Sequence, residues 1–251
     1  MKKVKLLICD NAWAHAKSSS GDNESKYIDW IRDFDYQGDN DLVFFTDQNL
    51  FNFYNVRAKI KIGLLLEPVS VFPHSYSFVK ENYQKKGFFD YIFTYDKELI
   101  ELNKNIGRDL FQQYFHGGSW IKETDFAIYP KTKNCSMILS NKHQTTGHRM
   151  RWAAVENLKD MFDIFGRGTD KPLDYKLDGL KDYRYHIAIE NTNAQKYYFS
   201  EKLIDPISAG CVVLYYGTDV GNYFNEGSII KFDTISELKF LIDNICSEKD
   251  Y

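Results

Sequence analysis

The stretch YHIAIENTNAQKYYFSEKLIDPISAGCVVLYYG, residues 185–217, sets two apolar runs on either side of a polar loop and an amphipathic segment. HIAI and VVLYY have the continuous apolar character of strands covered on both faces. Between them, Ser200 is placed to cap a helix whose first turn carries Glu201 and Lys202. A strand, a polar loop, a helix and a second strand make one unit of a parallel sheet. Ligands of such sheets bind beyond the carboxyl ends of the strands, and here that position holds Glu190 and Asn191.

The same alternation runs outward in both directions. Upstream, VKLLICD (4–10), LVFFT (42–46), KIGLLLEP (61–68) and YIFTY (91–95) read as buried strands. ESKYIDWIRDF (24–34), YSFVKENYQKK (76–86) and DKELIELNKNI (96–106) carry apolar residues at helical spacing. The pattern restarts with SMILS (136–140), a helix over 149–162, DIFGRG (163–168), SIIKFD (228–233) and a helix over 236–245. Two such series predict an α/β chain of two Rossmann-like domains with a cleft between them. The aperiodic DFAIYPKTKNC (125–135), with Pro130, puts the joint between 1–130 and 131–251.

Bulk properties narrow the partners. The 251 residues are 43% hydrophobic, enough for one large or two modest domains with real cores. With 32 Lys plus Arg against 35 Asp plus Glu, the net charge is −3, so nothing points to nucleic acid, and any anion site must be local. Cys9, Cys135, Cys211 and Cys246 are widely spaced and read as reduced core residues, not a disulfide frame or a zinc site. The opening MKKVKLLICDNAW is too short in its apolar run for a signal peptide and reads as the first strand; no segment is long enough to span a membrane. This favours the cytoplasm of a bacterium or of a virus-infected cell.

At the loop, chemistry becomes specific. A helix N-terminus offers free N–H groups and partial positive charge to phosphate, and Lys202 adds a full charge. The Glu201 carboxylate suits the paired hydroxyls of a ribose. The pair together fits a nucleoside diphosphate joined to something polar. Gly166-Arg167-Gly168 is too short for a dinucleotide fingerprint and is either a tight turn or a loop beside the nucleotide. His116-Gly117-Gly118 is a turn or part of the cleft lining, and His143 and His148 lack the neighbours a metal site needs.

The order IEN, a short loop, YFSEKL, then Asp, Gly and an apolar strand ending YYG resembles the glycosyltransferase family 10 fucosyltransferases, as does ILSNKHQTTGHRMRWAAVENLKDMFDIFGRG upstream. The resemblance covers 136–245 and is weak over 1–130. It implies a GT-B enzyme that binds GDP-fucose in the second domain and an acceptor glycan in the first, transferring fucose with inversion. Arg151, with Arg149 as rival, and Lys202 would neutralise the diphosphate; Glu201 would hold the ribose; Glu190, Asn191 and Tyr198 would line the donor site. No Asp-x-Asp motif lies within 136–245, where the resemblance holds, so neither a metal nor another cofactor is required by this reading. The base would be Glu67, after KIGLLL, with Asp10 and Asp47 as alternatives. Pro206 stands where the family usually has Ala and removes a helix hydrogen bond to Lys202. The rival readings are a transferase of the same fold using another nucleotide sugar and a glycan-binding relative without turnover; oligomeric state is open.

Overall fold

The structure, a computed structural model, describes residues 2–13, 15–19, 21, 23–33, 39–115 and 118–244. It divides into two compact units, one of residues 1–116 with 195–198, the other of 117–194 with 199–251. Each is built on its own parallel sheet.

In the first unit, strands β1 (Val4–Cys9), β2 (Ile28–Arg32), β3 (Asp39–Thr46), β4 (Arg57–Leu64), β5 (Tyr91–Thr94) and β6 (Phe111–Gln113) lie in the order β2-β1-β3-β4-β5-β6. All neighbours run parallel. A 3-10 segment (Asp47–Tyr54) follows β3, α1 (Pro73–Asn82) follows β4, and α2 (Lys97–Glu101) and α3 (Asn103–Ile106) follow β5. Alternate residues of β3 face opposite layers: Val43 and Phe45 join a core with Leu50, Phe53, Val79 and Phe89, while Phe44 packs with Ile8 and Leu66. Burial on both faces explains why these strands are apolar without alternation.

One helix expected from the sequence is a strand. Residues 28–32 pair with β1 in register from Val4 opposite Ile28, at the edge of the sheet. Their burial alternates with a period of two: Ile28, Trp30 and Arg32 are half-buried and Asp29 and Ile31 exposed. Trp30 meets Phe44 edge-on, with ring centroids 5.0 Å apart. Pairing with β1, joined by the Trp30 contact, outweighs the weak helical spacing of the segment. The short edge strand β6 went unrecognised, its three residues giving too little pattern.

The second unit holds β7 (Lys133–Ile138), β8 (Asp163–Phe165), β9 (Tyr183–Ile189), β10 (Val212–Tyr216) and β11 (Ile229–Lys231), in the order β11-β10-β9-β7-β8, again all parallel. Helix α4 (Thr146–Leu158) follows β7, α5 (Glu201–Ser208) follows β9, and α6 (Ile235–Asn244) follows β11. Met137, Ile187, Ile189 and Leu214 pack against Ala154 and Leu158 of α4 and Leu238 and Ile242 of α6. A second cluster unites Ile121, Leu177, Leu180, Ala209 and Cys211.

Ile121 shows why the units part near residue 117 and not near 130. Residues 118–131 are tied to the second unit: Ser119 Oγ and Trp120 N donate to Asp205 Oδ1 at 2.7 and 2.9 Å, Ala127 N to Ser208 O at 3.1 Å, and Lys131 Nζ to Ala209 O at 2.6 Å. The stretch lacks periodicity because a series of hydrogen bonds and the single buried apolar side chain of Ile121, not a repeating apolar face, hold it. Cys9, Cys135 and Cys211 are buried free thiols; Cys246 lies outside the described residues, as do His116 and Gly117. Among the described residues no helix is long and apolar enough to cross a membrane.

In both sheets the strand order reverses once, between β1 and β3 in the first and between β7 and β9 in the second. Adjacent loops leave such a point in opposite directions and open a crevice at the carboxyl ends.

Candidate functional site

The switch point of the second sheet gathers the loop after β7, the start of α4, the end of β9 and the start of α5. Thr145 caps α4: its Oγ1 accepts the His148 N–H at 3.1 Å, and His148 Nδ1 accepts the Thr145 N–H at 3.1 Å. The imidazole thus takes the place that a Glu or Gln side chain usually fills in a capping box. Gly147, in the same turn, lies directly on the end of β9. A Cβ there would stand 1.6 Å from the Glu190 carbonyl oxygen, and Gly147 N donates to Asn191 O at 3.1 Å. Only a residue without a side chain permits this approach.

The approach brings Arg151 to Asn191. Arg151 is 5% exposed, and its Nη2 donates to Asn191 Oδ1 at 2.7 Å. Arg149 does not join them: it is exposed, and its guanidinium bonds Gln144 O and Thr146 Oγ1 of its own helix start. Of the two arginines, Arg151 is the one held in the crevice.

Across it, Ser200 caps α5 and Glu190 holds the cap. Glu190 Oε1 accepts the Ser200 N–H and Oε2 the Ser200 hydroxyl, both at 2.7 Å. Glu190 is fully buried, and burial pushes its carboxyl up against the pull of Lys202, whose Nζ is 3.8 Å from Oε2. This carboxyl faces inward and fixes the loop. Lys202 Nζ lies 3.0 Å from Ser200 Oγ and 3.1 Å from Glu201 Oε1, so the lysine and the glutamate of the first turn stand together. Pro206 sits inside α5, which ends two residues later.

The cluster is cationic. Burial, then Arg151, Lys142, Lys202 and His143, hold the His148 imidazole down at about 4, so it is neutral at pH 7. Burial is the largest of these causes and is neutral as to the sign of a ligand; the smaller part, from Arg151, Lys142 and Lys202, is the positive field that favours an anion. The Gly166-Arg167-Gly168 turn lies against the end of β7, where Gly166 has φ +105 and Gly168 N donates to Leu139 O at 3.1 Å. Tyr198 is grouped with the first unit, where its buried ring meets Tyr95 at 5.0 Å between centroids.

The first unit carries the three acids considered as base. Asp10, at the end of β1, accepts from Thr46 Oγ1 at 2.7 Å and from Trp13 N at 3.2 Å, and Arg32 stands 3.5 Å from its other oxygen. Asp47 is fully buried at φ +36, and its Oδ1 accepts the amides of Leu66 and Glu67 at 2.9 and 3.1 Å. Burial first, and then the charge of Glu67, push the Asp47 carboxyl well above its usual range. Glu67 is only half-buried. Its backbone is pinned from both sides, the amide by Asp47 and the carbonyl by the Tyr76 hydroxyl at 2.9 Å. β4 ends at Leu64, so Glu67 rides on a braced loop three residues past the strand.

Sequence reading missed the structural parts of the site: Gly147, the capping role of His148, and Lys176 with Asp205, described below. A Gly inside the first turn of an otherwise good helix was the one available signal. Among the described residues no group of three or more His, Cys, Asp or Glu could hold a metal ion.

Known proteins place this architecture. The model of "Glycosyltransferase family 10 (fucosyltransferase) C-term" matches residues 128–249. A crystal structure of an α1,3-fucosyltransferase with GDP superposes with a TM-score of 0.59 at 14% identity, covering 98% of this chain and 79% of that one. One with GDP-fucose gives 0.57 at 17% identity with the same coverage. No curated protein sequence matches the chain. Residues 128–249 therefore belong to the C-terminal domain of glycosyltransferase family 10, and the chain is a glycosyltransferase with the fold of the α1,3-fucosyltransferases.

Proposed function

We propose that the chain transfers L-fucose from GDP-fucose to a hydroxyl of an acceptor glycan, inverting the anomeric carbon, in a GT-B arrangement with donor on the second unit and acceptor on the first. The observation that carries this reading is the joining of Arg151 with Asn191, and of Lys202 with Glu201, at the switch point within the family-matched region. The similar fucosyltransferase structures, one with GDP and one with GDP-fucose, support the choice of donor.

In this reading, Arg151, Lys202 and the N-terminus of α5 face the diphosphate, while Glu201 accepts from the ribose hydroxyls. As the bond from the fucose anomeric carbon to the phosphate oxygen breaks, negative charge grows on the departing GDP. Fixed cations stabilise that charge without reorganising, which is the contribution a bound metal makes elsewhere, and the reaction is metal-independent. The acceptor oxygen attacks from the opposite face, and its proton passes to the Glu67 carboxylate. Glu67 suits this task better than Asp10 or Asp47, whose buried oxygens hold backbone and side-chain donors in place. Glu190 and Asn191 act through Ser200 and Arg151, keeping the crevice in shape.

Titration calorimetry with GDP, UDP and GDP-fucose, with and without Mg²⁺, tests the donor site. GDP binding is expected to be independent of Mg²⁺ and to weaken by roughly 10–100-fold in Lys202→Ala, the loss of a charged hydrogen bond. Preference for UDP would transfer the site to another nucleotide sugar, and the absence of any nucleotide binding would sink the reading.

A further inference from the structure

Beside Glu201 stands a lysine from a different part of the chain. Lys176 opens a 3-10 turn (Lys176–Gly179) ahead of β9, and its Nζ lies 3.0 Å from Asp205 Oδ2 and 3.6 Å from Glu201 Oε1. Glu201 and Asp205 are four residues apart on α5 and so share one face, where two carboxylates alone would repel. Lys176 sits between them. Burial works against its charge, yet the carboxylates of Asp205 and Glu201 hold its ammonium above the usual lysine range.

Both ends of this bridge are anchored. Asp205 is almost fully buried, and its Oδ1 takes the Ser119 hydroxyl and the Trp120 amide at 2.7 and 2.9 Å. Leu177, the residue after Lys176, packs with Ile121, Leu180, Ala209 and Cys211. A run of contacts thus leads from the backbone at Trp120 through Asp205 and Lys176 to Glu201, whose carboxylate lies beside Lys202. Lys202 lies 3.1 Å from the same Glu201 oxygen. Without Lys176, the pull of Lys202 on that carboxylate would lose its counterweight, and each would be less available to a ligand.

We propose that Lys176 is a positioning residue for nucleotide recognition: bridged to Asp205, it holds the Glu201 carboxylate in the orientation that grips the ribose hydroxyls. The inference rests on the donor site proposed above. Removing one partner of an ion pair this sheltered costs stability by stranding the other, which a melting curve reads separately from the ligand affinity in which the positioning role is expressed.

The experiment is calorimetry with GDP and with 2′,3′-dideoxy-GDP on the full chain, using the native protein, K176M, K176R, E201Q and K176M/E201Q, with a melting curve for each. K176M is expected to weaken GDP by about tenfold, as when an outer partner of a binding group is removed. The loss is expected to vanish with dideoxy-GDP and to vanish in the E201Q background, and K176R should recover most of the affinity. Equal weakening of GDP and dideoxy-GDP in K176M, or no weakening at all, overturns the proposal. K176M leaves Asp205 buried without its cation; if it fails to fold, K176M/D205N carries the same comparison. Should the native protein bind GDP and dideoxy-GDP equally, the ribose role of Glu201 is wrong and the proposal falls with it; failure to bind either overturns the donor site itself.

Discussion

The carboxyl edge of the first sheet presents Asp10, Asp47 and Glu67, whereas that of the second gathers Arg151, Lys202 and the neutral His148 around a crevice. The two sheets share a topology with one reversal of strand order, yet one edge is suited to accept a proton and the other to receive an anion. At both edges the deepest acids have become scaffolding. Asp47 binds the amides of the Glu67 loop, and Glu190 binds the N–H and hydroxyl of Ser200. Burial raises both carboxyls, and their hydrogen bonds carry the positioning. In the reading proposed above, the residues that do the chemistry, Glu67 and Lys202, are those that such braces hold.

The sharpest way to break this contrast is Glu67→Gln. Loss of a general base is expected to slow fucosyl transfer by about 10²–10⁴-fold, while GDP affinity, which belongs to the other edge, stays unchanged in calorimetry. A variant that transfers normally would remove Glu67 from the mechanism. Next in size is Gly147→Ala. Its methyl group would enter the Glu190 carbonyl, and overpacking of this kind costs about 3 kcal/mol. Urea denaturation should show that loss, and a variant of native stability would refute the close approach of α4 to β9.

Asp47 separates scaffold from base. Asp47→Ala removes the acceptor of two amides and sets Ala at positive φ, a loss of about 2–3 kcal/mol from the hydrogen bonds and the backbone together. Asn keeps an acceptor and tolerates that backbone. Because the folded-state carboxyl of Asp47 is raised above its ordinary 3.8, its stabilising share is complete below that pH and declines as pH rises. Asp47→Asn is therefore expected to equal or exceed the native stability at pH 7, the advantage shrinking toward pH 3, and to retain transfer. Abolished transfer in Asp47→Asn would move the base from Glu67 to Asp47.

The smallest effect is at His148. Its folded-state value of about 4 lies below the ordinary 6.5, so its contribution is present above pH 6.5 and is lost as pH falls toward 4. His186, held to about 3 by burial and then by Lys176, acts in the same direction. Melting temperatures taken between pH 7 and 4.5 should fall, and less steeply in His148→Gln. An unchanged slope would place the titration elsewhere.

Most strands were legible because burial on both faces leaves unbroken apolar runs such as LVFFT and HIAI. Residues 24–34 misled because Tyr27, Trp30 and Ile31 mimic a helical stripe, while the pairing with β1 that decides the matter is remote in sequence. The crevice was legible in part. Glu201 and Lys202 are adjacent and announce themselves, and Arg151 stands on a clear helix. Lys176 could not be found that way: it meets Asp205 only after β9 and α5 have folded between them, and nothing in LDYKLDG marks it. Spacing reveals neighbours along one element, and it is silent on partners brought together by topology.

The tie between Asp205 and Ser119-Trp120 also bears on how the chain can be divided. A fragment meant to carry the proposed nucleotide-binding half, begun at residue 131 where periodicity resumes, would discard the Ser119 and Trp120 donors to Asp205 along with Ile121 from its cluster. Its hidden carboxylate would then depend on Lys176 alone, and the lysine could no longer be shared with Glu201 on the same terms. Begun at residue 118, the fragment keeps those partners and with them the set of Glu201, so the starting residue itself decides whether an isolated half reports on the intact site.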